Sequence, residues 1–128
     1  KQKTAYEFTS DWSSDVCSSD LIDEYRLTGS VSGTSEFTRL FPSGGPRDRL
    51  GRSLRDFDLE RNLFRYPCSY MIYTSSFTNL PDPVKTYVTR RMQGILFSSS
   101  RRPPFDQLSD NDCRNVREIL ADTLPGLW

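Results

Sequence analysis

The 128-residue sequence contains no histidine. Within these residues that excludes Ser-His and Cys-His nucleophile pairs, histidine general bases and the usual zinc-histidine sites. Cysteine is scarce: Cys17, Cys68 and Cys113 are widely spaced and form no Cys-x-x-Cys pair. An odd, dispersed set is not a disulfide framework, and zinc sites need close ligand pairs. No apolar run approaches the roughly 20 residues that cross a bilayer. Lys1 opens a polar stretch without the apolar segment of a signal peptide. Neither charge dominates, with 17 basic and 17 acidic residues. A chain devoted to nucleic acid or an anionic membrane surface carries a basic excess, so neither partner is expected. There is no GxxxxGK[ST] run and no GxGxxG, which leaves the nucleotide-loop signal weak. No EF-hand spacing occurs among Asp110, Asp112, Glu118 and Asp122, whose expected place is a polar helix face. No cofactor and no metal are expected.

What is present begins with an irregular segment. In DWSSDVCSSDL, residues 11–21, the apolar side chains fall on no common helical or strand face. Serine and aspartate dominate and favour turns. KQKTAYE at residues 1–7 together with DWSSDVCSSDL resembles a translated sequencing-library adapter, and Phe8-Thr9-Ser10 falls where a variable index would lie. Phe8 departs from that pattern, which continues with Ile or Met after Glu7. The resemblance implies that residues 1–21 are a non-biological extension and that the natural chain is a metagenomic reading frame, longer upstream of Ile22. Such sequence is set aside in fold reasoning. It removes Cys17 from every site argument. It also takes away Lys1 and Lys3 against Glu7, Asp11, Asp15 and Asp20, which moves the net charge from zero to +2.

Residues 22–52 read as a loop-rich connecting segment. A Gly/Ser/Thr stretch fills 28–35, one short helical turn is expected over Glu36–Phe41, and Pro42–Pro46 is expected to break any element. From Ser53 the pattern turns helical. Ser53 with Asp56 has capping-box spacing, so a helix is expected over 54–65, ended by Tyr66-Pro67. Cys68–Phe77 is crowded with aromatics and ambiguous between helix and strand, with helix preferred because Pro67 suits a first turn. After Pro81, a helical face collects Val84, Tyr87, Val88, Met92, Ile95 and Leu96, with Arg91 as its polar interruption. Residues 98–104 read as a linker. Ser109 with Asp112 repeats the capping-box spacing, and Cys113, Val116, Ile119, Leu120 and Thr123 form the apolar face of a last helix ended by Pro125-Gly126. The expected fold is all-α: a small bundle of about four helices over 53–128, with 22–52 draped over it.

Three constellations carry chemistry. The stretch Arg47, Arg49, Arg52 and Arg55, with Gly44-Gly45 before it and a helix start expected at Ser53, could hold a phosphate; alternatively Asp48, Asp56 and Asp58 pair with these arginines in a docking loop. Tyr66, Cys68, Tyr70 and Tyr73 cluster, but without a histidine base Cys68 reads as a small buried hydrophobe. Arg90-Arg91 and Arg101-Arg102 could touch a phosphate backbone or form a solvated face. The motifs Gly45-Pro46-Arg47-Asp48, Gly51-Arg52-Ser53-Leu54-Arg55 and Tyr66-Pro67-Cys68-Ser69-Tyr70 resemble the C-terminal end of long, uncharacterised bacterial proteins, over about residues 33–128. That resemblance implies a place in a larger chain and no specific activity. The expected role is therefore a supporting C-terminal helical subdomain whose partner is the missing upstream part of the same chain. The alternative is an anion-binding module built on Arg47, Arg49 and Arg52. An enzyme acting alone is not expected.

Overall fold

The computed structural model describes residues 26–128. The adapter-like residues 1–21 lie outside the described residues. Among the described residues four α-helices follow one another: α1 (Phe37–Ser43), α2 (Ser75–Thr78), α3 (Asp82–Leu96) and α4 (Asp110–Thr123). Two 3-10 turns, Tyr70–Tyr73 and Phe105–Gln107, complete the regular structure of these residues. Among the described residues there is no strand, only an isolated antiparallel bridge between Phe57 and Phe64. The fold class is all-α.

The two long helices form where the periodicity predicts them. α4 starts on Ser109, whose hydroxyl accepts from the Asp112 N–H at 3.1 Å and donates to the Asp112 carboxylate at 2.6 Å. Such a cap contributes about 1 kcal/mol. Cys113, Val116, Ile119 and Leu120 are its buried face. α3 starts with Pro83 in its first turn, where the missing N–H costs nothing. It buries Val88, Met92 and Leu96 as expected, with Thr89 beside them and Arg91 left exposed. These faces meet Leu54, Ile72, Phe77, Phe105 and Leu108 in one core. Leu54, Val88, Val116, Ile119 and Leu120 retain no exposed surface. Each such aliphatic side chain contributes roughly 1.5–3 kcal/mol by burial.

The expected helix over 54–65 is not there. Ser53 and Asp56 do bond reciprocally: the Ser53 N–H donates to Asp56 Oδ2 at 2.9 Å, and the Asp56 N–H donates to the Ser53 carbonyl at 3.0 Å, while Ser53 Oγ accepts from the Arg55 N–H instead. The bonds close a single turn instead of opening a helix. Beyond it, Asp58 captures the N–H groups of Arg61 and Asn62, at 3.3 and 3.2 Å. The Asp58 and Leu59 N–H groups bond to the carbonyls of Leu63 and Asn62. Short acidic side chains that bond nearby backbone compete directly with helix formation. The chain therefore doubles back, with Leu59 in the left-handed region at φ 57°, and Phe57 stacks on Phe64 at 5.5 Å.

Two boundaries also move. α1 runs through Pro42 to Ser43 rather than stopping before it; a proline at the next-to-last position of a seven-residue helix removes a single backbone donor. Cys68–Phe77 resolves into the 3-10 turn Tyr70–Tyr73 and the one-turn helix α2, with Ile72 and Phe77 buried. Residues 98–104 are irregular, as the serines and prolines predict, and Phe105 anchors the segment in the core.

Candidate functional site

The loop 45–56 is built around a buried carboxylate. Asp48 Oδ1 accepts from the N–H groups of Leu50 and Arg52, at 3.0 and 2.7 Å, and Oδ2 accepts from Arg52 Nε at 2.7 Å. The Asp48 side chain has no exposed surface. The Asp48 N–H donates to the Arg52 carbonyl and the Gly51 N–H to the Asp48 carbonyl, each at 2.9 Å. Gly51 takes φ 78°, a conformation in which glycine carries no steric penalty. Sequence thus dictates a closed five-residue loop that presents Arg49 outward and Arg52 sideways.

Both arginines reach α4. Arg49 grips Asp122 with three donors: its backbone N–H at 3.0 Å, Nε at 2.9 Å and Nη2 at 2.8 Å. Arg52 donates to Glu118 at 2.7 Å and to Asn115 Oδ1 at 2.9 Å. Asn115, Glu118 and Asp122 are spaced three and four apart, so they form one polar stripe along the helix. Acidic groups toward a helix C-terminus face the negative end of its dipole, and Arg49 and Arg52 supply the compensating charge from another part of the chain. The Arg49 bond holds the Asp122 carboxyl below the usual carboxylate range. Burial opposes the charge on Arg52, but Glu118 and Asp48 more than offset it, and its guanidinium is held above its ordinary value. Arg47 turns the other way. It pairs with Asp56 at 3.2 Å and donates to the carbonyls of Pro42 and Gly51.

The three arginines singled out as anion ligands are therefore each engaged with acceptors of this chain. Of the aspartates expected to pair with them, Asp48 and Asp56 do so and Asp58 bonds backbone instead. The sequence contained a signal for the missed partners, since Asn115, Glu118 and Asp122 already share a helical stripe; what it lacked was the pairing across more than sixty residues.

Arg55 has a separate role. Its guanidinium lies over the rings of Phe41 at 5.0 Å and Tyr70 at 5.4 Å. A Cβ on Gly45 would stand 2.8 Å from Arg55 Cδ, so this close approach requires glycine. Behind Arg55 the rings of Phe37, Phe41, Phe57, Phe64 and Tyr70 form a continuous cluster with neighbouring centroids 5.0–6.2 Å apart.

Cys68 is buried, as is Cys113. Burial pushes the Cys113 thiol up, and the nearby Arg101 only partly reverses this. Tyr73 is pushed up to about 12 by burial. Its hydroxyl meets Thr123 Oγ1 at 2.8 Å, and Thr123 in turn donates to the Ile119 carbonyl at 2.7 Å. A phenol held there stays protonated near neutral pH and serves as a structural donor. Among the described residues no group of three or more His, Cys, Asp or Glu side chains could hold a metal ion, and no helix is long and apolar enough to cross a membrane.

The two arginine pairs come together in space. Arg90 and Arg91 on α3 and Arg101 and Arg102 on the following segment line one cleft of about 490 Å³. No family model matches this sequence, nor does any curated protein or solved structure.

Proposed function

We propose that this chain is a supporting helical subdomain of a larger protein and that it docks on other sequence of that protein through α1. The observation that carries the reading is the state of α1. This helix bears Phe37, Leu40 and Phe41, yet none of its residues is fully buried, and Phe41 is only half-buried. Phe37 is 58% and Leu40 51% exposed. Leu63 and Met71, in segments that contribute to or adjoin the same ring cluster, are also exposed. A contiguous exposed apolar surface of this kind marks an interaction face. The occupant in this reading is other sequence of the same polypeptide, as the resemblance read from the sequence motifs would imply.

The arginine loop fits the same role. Arg49 and Arg52 fasten residues 45–56 to α4, so the loop reads as an internal clasp that fixes where α1 emerges. An anion at Arg47, Arg49 and Arg52 would have to displace Asp56, Asp122, Glu118 and the buried Asp48. The test is a Phe37→Ser, Leu40→Ser double variant. It should bind an apolar fluorescent dye less than the parent does while keeping a melting temperature within a few degrees, since exposed substitutions usually stay near 0.5 kcal/mol. A collapse of the melting temperature would place α1 in this chain's own core and sink the docking role.

A further inference from the structure

Six polar residues converge on the cleft between the C-terminal half of α3 and the segment that follows it: Arg90, Arg91, Ser98, Ser100, Arg101 and Arg102. No acidic residue lines it. Its volume of about 490 Å³ lies within the roughly 300–1,000 Å³ of small-ligand pockets. Arg90, Arg91 and Arg102 are exposed, and among the described residues no carboxylate pairs with them. Arg101 is held differently. Its side chain is only 9% exposed, fixed by Asp110 at 2.6 Å and by the Leu108 carbonyl at 3.1 Å. Its Nε is buried without a nitrogen or oxygen acceptor. One arginine is thus pre-positioned by the protein, and three are left uncommitted around it. The remaining wall is apolar, from Ile95 and the buried Phe105. Gly94 leaves the floor open, since a Cβ built there meets nothing within 4 Å.

We propose that this cleft binds a small phosphate ester, with the phosphate held by the arginines and the organic part against Ile95 and Phe105. Arginine suits this ligand because its planar fork donates in pairs to phosphate oxygens. A nucleic-acid strand is the poorer fit. Its affinity rests on many phosphate contacts along an extended basic surface, whereas this chain has no net charge and gathers its uncommitted arginines in one concave site. The site is independent of the clasp and of the α1 face, so its failure would leave the docking role standing.

Calorimetric titration of the 128-residue chain with phenyl phosphate, inorganic phosphate and a short single-stranded oligonucleotide tests the proposal. Phenyl phosphate should bind more tightly than inorganic phosphate, and more weakly as salt is raised. Replacing two arginines by Arg91→Gln and Arg102→Gln should weaken it by about tenfold or more, while Arg39→Gln on α1 should change nothing. Gly94→Leu, which keeps the helix and fills the floor, should abolish ester binding; it decides the matter should the double variant lose its fold by circular dichroism. No binding at millimolar phenyl phosphate overturns the proposal. So does equal weakening by Arg39→Gln, equal affinity for the ester and inorganic phosphate, or binding of the oligonucleotide alone.

Discussion

Replacing Asp48 by alanine should cost more than any other single polar change in the described residues. The Asp48 carboxylate is fully enclosed and accepts from two backbone N–H groups and from Arg52. Removing one member of a buried ion pair typically costs about 3–5 kcal/mol, because the partner is left without its counter-charge. Two features pull the figure to the lower end. Arg52 keeps Glu118 and Asn115, and the neighbouring Leu50 is 68% exposed, so water reaches that side of the loop. The expected loss is about 3 kcal/mol, which for a domain near 100 residues lowers the melting temperature by about 12 °C or more. Asp48→Asn keeps one acceptor oxygen but turns an amide NH2 or a neutral oxygen toward Arg52, and should fall between, at about 2 kcal/mol. Urea and thermal unfolding followed by far-ultraviolet circular dichroism measure both. A double-mutant cycle of Asp48→Ala with Arg52→Met should show a coupling above about 1 kcal/mol. A melting shift under about 2 °C for Asp48→Ala, with no coupling to Arg52, would refute the view that this loop is fastened by its buried charge.

Three further outcomes follow from the same structure. Gly94→Ala should stabilise the chain by up to about 1 kcal/mol, since the position is inside a helix and a Cβ there meets nothing within 4 Å; a lowered melting temperature would mean that the position is not open. Tyr73→Phe should cost about 1 kcal/mol for the lost bond to Thr123, and in the parent protein the absorbance titration of this phenol should centre near 12 rather than the ordinary 10. Asp122 has its folded pKa depressed by Arg49, so its contribution is complete above the unfolded value of about 4 and disappears as pH falls through the folded value. Arg49→Gln should therefore flatten the acid loss of melting temperature below about pH 4 without removing it, because Arg101 depresses Asp110 in the same way; an unchanged acid slope would argue that Arg49 and Asp122 are not paired in solution.

The legible part of the fold was the part governed by local periodicity. In α3 and α4 the apolar residues recur at helical spacing, and Ser109 with Asp112 marks the start of α4 by the same bonds that its spacing implies. The segment 54–65 shows why the same signal fails elsewhere. Ser53 and Asp56 have the identical spacing and make reciprocal bonds, but Asp58 follows and takes two backbone donors that a helix would have used. A capping signature states that a turn will close; the residues after it decide whether the turn propagates. The arginine loop was legible as a charged loop with internal acidic partners, and Asp48 and Asp56 are those partners. Its attachment to Glu118 and Asp122 was not legible, because a pairing between distant segments leaves no periodic trace. The meeting of Arg90-Arg91 with Arg101-Arg102 was hidden for the same reason: the irregular segment between them sets the return path, and serines and prolines predict irregularity without predicting direction.

The central claim is that the clasped loop belongs to a self-supporting core while α1 presents a face for a partner. Limited trypsin digestion of the 128-residue chain, read by mass spectrometry, tests it directly because both regions carry arginines. Cleavage should come first after Arg26 and Arg39, on the α1 side, while Arg47, Arg49 and Arg52 resist and the product spanning α3 and α4 stays intact. Early cleavage within 47–52, or equal protection from Arg26 onward, would contradict the account: the first would show that the loop is not clasped, and the second that α1 is already covered by this chain.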